Sequence, residues 1–256
     1  MAIQRDRASD ALRTVEIEAN PLKHPEGSAL IRCGDTHVIC TATVENRVKD
    51  WLRGRGRGWV TAEYAMLPRA NANRSLREGQ FGRWPSSRSQ EIQRLIGRCM
   101  RASIWPARVG ERTITIDCDV IQADGGTRTA SVTGGFVALA LALDKLVRAG
   151  EIKSPPLKRL IAAVSVGMVG GELLLDLDYR EDSSADVDMN LGADENGMIV
   201  EAQATAEGRP YSKEQLQAMT DAALKGIASL IAIQRAVLTG AGVALGALVE
   251  KPGADQ

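Results

Sequence analysis

Short apolar runs open the chain, and their spacing reads as strands. Residues 29–32 and 37–44 are separated by Gly34-Asp35, a turn signal, and residues 59–64 form a third strand candidate. A polar stretch rich in Arg, Gly and Asn runs from residue 45 to 85, the length of a functional or mobile loop. Ile92, Leu95, Ile96 and Cys99 then fall at helical spacing, with Arg94, Arg98 and Arg101 elsewhere on the wheel. Residues 113–121 alternate: Ile114, Ile116, Cys118 and Val120 share one face and Thr115, Asp117 and Asp119 the other, as in a half-buried strand.

Asp124-Gly125-Gly126 breaks that strand, and an apolar helix is expected over 129–149. Ser154-Pro155-Pro156 is the clearest linker. Beyond it strands resume: 160–169 and 172–177 flank Gly170-Gly171, a hairpin signal, and 187–191 and 198–206 flank residues 192–197. An amphipathic helix over 212–238 closes the pattern. The tail from Gly240 is Gly/Ala-rich and is expected to fray. Both segments run strands then helix. The pattern therefore predicts an α+β chain of two similar halves, about 1–150 and 157–240, packed as one unit 1–240 with a tail 241–256.

Hydrophobic residues at 44% supply a core and exclude a wholly disordered chain, and aromatics at only 4% mean that it is built from Val, Leu, Ile and Ala. No uninterrupted run of about 18 apolar residues occurs, so no membrane span is expected. The charged N-terminus has no apolar segment behind it, which argues against a signal peptide and for the cytoplasm. Cys33, Cys40, Cys99 and Cys118 form no C-x-x-C pair and read as buried free thiols. His24 and His37 alone offer little for a His-based triad or metal site.

Lys+Arg and Asp+Glu both number 32, so a global basic coat for nucleic acid is absent. That neutrality hides an asymmetry. Residues 47–101 carry thirteen Arg or Lys against four acids, and residues 172–207 carry eleven acids against Arg180 alone. One segment suits a polyanion and the other a cation, unless the two neutralise each other on a solvated surface. Within the basic segment, Arg53-Gly54-Arg55-Gly56-Arg57-Gly58 interleaves planar forks that match phosphate oxygens with glycines that allow close approach.

Three motifs carry candidate chemistry. Gly125-Gly126-Thr127-Arg128 stands directly before a helix, where free backbone N–H groups, a hydroxyl and a guanidinium can cradle an anion; no Walker A loop occurs. Ser86, Ser87 and Ser89 offer N-caps that place Arg88 near a helix start, although spacing alone makes Arg88 an ordinary solvated residue. Asp182, Asp186 and Asp188 are closely set carboxylates of the kind that attract Mg²⁺ or Mn²⁺, although a solvated acidic turn is the plainer reading of that segment by itself. On straight strand Asp182 and Asp188 would stand roughly 20 Å apart. They can share an ion only if Ser183-Ser184-Ala185 bends the chain. Asp186 and Asp188 would lie on one strand face about 7 Å apart.

Taken together and in this order, these motifs resemble the ribonuclease PH family of phosphate-dependent 3′-exoribonucleases. The resemblance runs from His24-Pro25-Glu26-Gly27-Ser28 to the last helix. It is most specific over residues 58–64 with 66–70, over 91–98, over 116–131 and over 182–190. It implies the fold of ribosomal protein S5 domain 2 and a homohexameric ring, a trimer of dimers. By carry-over, Arg88 with Gly126, Thr127 and Arg128 match phosphate-binding positions, and Asp182 and Asp188 match the catalytic, metal-binding pair. Loops bearing Arg69, Arg74 and Arg77 match those that face RNA, and Arg55 and Arg57 are further RNA-contact candidates.

The expected function follows from that resemblance. It is a cytoplasmic tRNA nucleotidyltransferase that trims tRNA precursors and other RNA, rRNA included, from the 3′ end. Inorganic phosphate is its co-substrate and Mg²⁺ (or Mn²⁺) its ion. Some relatives are non-catalytic ring subunits, but those tend to lose the acidic pair or the phosphate Arg, and both are kept here. A small-molecule kinase would have only the Gly125-Gly126 turn as its phosphate loop. The chain also departs from the family. Arg7-Ala8-Ser9-Asp10-Ala11 lacks the Gly and second Arg of the usual opening motif, Ser87-Arg88-Ser89 replaces a G-R-T pattern, and Trp84-Pro85 is unusual.

Overall fold

The computed structural model describes residues 5–78, 85–207 and 209–250. Trp84 and Arg83 lie outside the described residues. The first half builds a five-stranded sheet from β1 (Val15–Ala19), β2 (Gly27–Cys33), β3 (Thr36–Glu45), β4 (Trp59–Met66) and β5 (Thr113–Gln122), in the order β1-β2-β3-β5-β4. All pairs are antiparallel except β4 with β5. Alternation fixes the faces: Ile114, Ile116, Cys118 and Val120 of β5 are buried, while Thr115, Asp117 and Asp119 point away from the core. Helices α1 (Ser87–Ser103), the short α2 (Pro106–Val109) and α3 (Thr127–Arg148) complete this half.

The second half is a four-stranded antiparallel sheet in the order β7-β6-β8-β9, from β6 (Ile161–Val169), β7 (Glu172–Leu175), β8 (Val187–Asp194) and β9 (Ile199–Ala206). A five-residue α4 (Tyr179–Ser183) interrupts the strands, and α5 (Lys213–Gly240) and α6 (Leu245–Leu248) follow. One hydrophobic cluster runs through both halves, so neither has a core of its own.

Helix α3 is the hinge of that arrangement. It packs on β2, β3 and β5 of the first sheet and on β6 and α5 of the second half. With partners on both sides it is apolar nearly all round. Gln234 of α5 reaches across to it, donating from Nε2 to the carbonyls of Thr133 and Ile161, each at 3.0 Å. By length and composition α3 and α5 could each cross a membrane, but 89% of the apolar window of α3 is buried inside the protein. Interspersed Gly, Ser and Thr break its apolar run without lowering its mean hydropathy much.

Several boundaries differ from expectation. Helix α3 begins at Thr127, because Gly126 takes the left-handed conformation immediately before it. Strand β7 stops at Leu175, since Asp176 adopts φ 58°. Gly192 lies inside β8 at a bulge, and the β8–β9 turn is made instead by Glu195, Asn196 and Gly197. There Asp194 Oδ1 accepts the N–H groups of Asn196 and Met198, each at 2.9 Å. The expectation of a fraying tail fails over 241–250, and its remainder, 251–256, lies outside the described residues. Val243 and Leu248 are buried, Val249 bridges to Leu157, and Glu250 pairs with Arg108. All four cysteines are free and buried. Burial pushes the Cys33 and Cys99 thiols up to about 12.

Candidate active site

Two helix starts and one short helix converge on a cleft of about 650 Å³ between the halves. Arg88, Gly126, Thr127, Arg128, Asp182 and Asp188 all line it. These six predicted residues come from four separate elements, and their meeting was not dictated by any single motif.

Ser86 caps α1, its Oγ accepting the Ser89 N–H at 3.1 Å, which sets Arg88 in the first turn. Arg128 occupies the same place in α3. Neither first turn contains an acidic residue. A cation at the positive end of a helix is unfavourable unless an anion sits there too. Here two such ends face one cleft. Arg128 is braced by Gln203, donating from Nη1 to Oε1 at 2.6 Å, with Glu91 at 3.5 Å.

The loop before α3 is made by Gly125 (φ 72°) and Gly126 (φ 64°), both in the region that L side chains rarely adopt. Gly126 caps α3 without any side-chain hydrogen bond, so among the described residues the first-turn N–H groups have no side-chain cap. A Cβ on Gly125 would stand 2.6–2.8 Å from backbone atoms of Leu177, Asp178 and Tyr179. The loop of the first half thus touches the entry to α4 backbone to backbone. Thr127 shares a hydroxyl contact of 2.9 Å with Tyr64, which the sequence reading did not single out.

Asp178 caps α4 by accepting the N–H groups of Arg180 and Glu181, each at 2.9 Å. Glu181 answers by accepting the Asp178 N–H at 3.0 Å. Arg5 and Arg7 close on the fully buried Glu181 carboxylate at 2.8 and 3.0 Å, and Arg7 also donates to the Asp176 carbonyl at 2.7 Å. The departure noted around Arg7 therefore leaves an arginine anchor in place. After α4 the chain turns back, with the Ala185 N–H reaching the Asp182 carbonyl at 3.3 Å. That is the bend through Ser183-Ser184-Ala185 that a shared cleft requires. Asp186 does not line the cleft.

Burial raises the Asp182 carboxyl, against the lowering influence of Arg128, Arg88 and Arg13. Burial also raises Asp188, followed by repulsion from Asp182 and Glu207, with Arg128 opposing. Two partly buried carboxylates that repel each other form a set of hard oxygen donors that a divalent cation would relieve. Among the described residues no group of three or more His, Cys, Asp or Glu side chains is arranged to hold a metal. An ion held by Asp182 and Asp188 would have to complete its shell with water or substrate oxygens, as Mg²⁺ commonly does.

The remaining predicted residues do not enter the cleft. Arg69 and Arg74 are exposed on the connection after β4, flanking Asn71, which does line it. Arg77 is exposed nearby and acts on Asp119 of β5, holding it down against burial. Arg55 and Arg57 lie before Trp59, at the start of β4, whereas Met66 at its far end lines the cleft. Eight residues of strand separate these ends by roughly 23 Å. The two oppositely charged segments do not cancel each other. Among the described residues only Arg98–Glu201, at 2.5 Å, joins them, and the acidic segment pairs mainly with Arg5, Arg7, Arg13, Arg159 and Arg235.

Residues 11–143 match domain 1 of the 3′ exoribonuclease family and residues 159–226 match domain 2. The ribonuclease PH of Moorella thermoacetica is 59% identical over 227 residues, covering 89% of this chain and 90% of that protein. The ribonuclease PH of Bacillus pumilus is 55% identical, with 91% and 96% covered. Among solved structures, rice Rrp46 aligns with a TM-score of 0.74 at 18% identity, covering 91% of this chain and 98% of that one. A chain of the Archaeoglobus fulgidus exosome with RNA bound to the active site gives a TM-score of 0.73 at 21% identity over 88% and 90%. Those two likenesses concern the fold. The paired domain matches and the two close relatives settle the lineage: the chain belongs to the ribonuclease PH family of 3′ exoribonucleases.

Proposed function

We propose that the cleft between the halves is where this phosphate-dependent 3′ exoribonuclease removes the terminal nucleotide of RNA. The chain is a phosphorolytic enzyme, a tRNA nucleotidyltransferase by reaction class. Inorganic phosphate attacks the last phosphodiester, the bond to the preceding 3′ oxygen breaks, and a nucleoside diphosphate leaves. The shortened RNA keeps a free 3′ hydroxyl.

In this reading Arg88, Arg128, Thr127 and the amides after Gly126 hold the attacking phosphate and offset its repulsion from the RNA backbone. One observation carries the assignment: two helix N-termini, each with an arginine in its first turn and no acid, face the same cleft as Asp182 and Asp188. Asp182 and Asp188 would hold Mg²⁺ (or Mn²⁺), which would supply charge neutralisation at the transferring phosphoryl group. Arg69, Arg74 and Arg77, on the connection after β4, would contact the RNA leading to the cleft, and Arg55 and Arg57 would meet nucleotides farther from the 3′ end. The natural substrates would be tRNA precursors in the cytoplasm, and the assembly a homohexamer arranged as a trimer of dimers.

The test uses RNA labelled at its 3′ end, with and without inorganic phosphate. Nucleoside diphosphates formed only when phosphate is present are the expected products. Monophosphates released without phosphate would overturn the reading.

A further inference from the structure

The glycine loop that presents its amides to the cleft is held from behind by two side chains to which the reading above gives no role. Thr36, the first residue of β3, is fully buried. Its Oγ1 hydroxyl donates to the Gly125 carbonyl at 2.6 Å and accepts the Asp124 N–H at 2.9 Å. Arg13 donates from Nη1 to the Asp124 carbonyl at 2.6 Å. Three backbone groups of two adjacent residues, the Asp124 N–H, the Asp124 carbonyl and the Gly125 carbonyl, are thus satisfied by two side chains. Arg13 also lies directly beneath Gly126, where an added Cβ would meet Nη2 at 2.9 Å.

Arg13 is itself fixed from the other half. Its Nη2 and Nε donate to Asp176 Oδ1 and Oδ2 at 2.7 and 3.1 Å, and its backbone N–H reaches Oδ2 at 2.8 Å. Asp176 stands at φ 58° between β7 and α4, with its N–H on the Ser165 carbonyl at 2.7 Å. One guanidinium therefore ties the glycine loop of the first half to the approach of the helix that carries Asp182.

Two consecutive glycines have the greatest backbone freedom of any pair. Donors aimed at an anion help a reaction only when they are held before it arrives. We propose that Thr36 and the Arg13–Asp176 pair are positioning residues for phosphate, holding the Asp124–Gly125 backbone so that the amides opening α3 stand in fixed register with Asp182. The proposal rests on the reading of this cleft as the phosphate site.

Thr36→Val keeps the shape of the side chain and removes the hydroxyl, while Thr36→Ser keeps the hydroxyl. Phosphate KM and kcat are measured in RNA phosphorolysis, phosphate Kd by calorimetry, and RNA KM separately, alongside Arg128→Ala. Stranding two half-buried backbone groups should raise phosphate KM and Kd about tenfold or more in Thr36→Val. RNA KM should stay at the parent value, and Thr36→Ser should restore phosphate affinity. A loss of kcat or thermal stability with parent phosphate KM and Kd in Thr36→Val would overturn the proposal, because it would mark a purely structural contact. Should Thr36→Val not fold, Arg13→Lys carries the same expectation and the same overturning result, since it keeps a cation beside Asp176 but loses the reach to Asp124. If Arg128→Ala also keeps the parent phosphate KM, the phosphate reading of the cleft is what fails. A raised value there beside a parent value in Thr36→Val removes the positioning role alone.

Discussion

The hydroxyls of Tyr64 and Thr127 stand 2.9 Å apart and share one hydrogen bond, joining β4 to the first residue of α3. Burial raises the Tyr64 phenol, while the contact to Thr127 and the nearby Arg88 and Arg128 act the other way. Tyr64→Phe removes the bond and leaves the ring in place. It should cost about 1 kcal/mol of stability and raise phosphate KM a few-fold, because Thr127 loses its orientation. Denaturant melts and phosphate titrations check both; unchanged values in each would mean that the contact does nothing.

Arg88 and Arg128 should respond to loss of the guanidinium fork as well as to loss of charge. Lys is a point donor, so Arg88→Lys should already raise phosphate KM, and Arg88→Ala and Arg128→Ala should raise it further. The effect should fall on phosphate KM more than on RNA KM. An unchanged phosphate KM in both Ala variants would remove these residues from the anion site.

Asp182→Asn and Asp188→Asn should slow degradation on the order of 10²-fold or more. The reverse reaction, 3′ extension with excess nucleoside diphosphate, should slow equally, since both directions cross one transition state. Their effect on stability should have the opposite sign. Both carboxyls titrate above the usual Asp range in the folded protein, so the folded state binds the proton more tightly than the unfolded chain. That contribution is fully present below the unfolded pKa and is lost as pH rises through the raised folded value. At neutral pH without divalent ions, each Asn variant should therefore melt higher than the parent, and the gap should close in acid. Added Mg²⁺ should stabilise the parent and not the double variant. Melting curves across pH that show no gap would count against the charge repulsion.

Replacing Arg69, Arg74 and Arg77 together by Ala should weaken RNA binding across sequences. It should also flatten the salt dependence of affinity, by about 0.7 in log–log slope for each lost contact to a single strand. Binding isotherms at several salt concentrations measure this. A variant with the parent slope would place these arginines off the RNA path.

Much of this architecture is legible in the sequence because it is local. The alternation of Ile114 to Val120, the serine cap before Arg88 and the glycine pair before Thr127 each declare themselves within a few residues. What is not legible is long-range. Thr36 and Gly125 are 89 residues apart, and Arg13 and Asp176 are 163 apart. No spacing rule links such pairs. The short α4 has too few turns for a periodic signal, so the bend that lets Asp182 and Asp188 share a cleft shows only in the fold. The order of residues 241–250 is hidden for a related reason: their small side chains look mobile until the Leu248 carbonyl accepts the backbone N–H of Leu157 at 2.9 Å.

The backbone contact between Gly125 and the approach to α4 also makes activity a reporter of assembly within one chain. Anion donors reside in one half and acidic groups in the other, and the two meet only where the sheets dock across α3. A molecule in which each sheet is intact but undocked has no reaction centre at all, only two incomplete ones. Because one hydrophobic cluster runs through both halves, catalysis should accordingly vanish in a single step, together with the shared core and the secondary structure it supports.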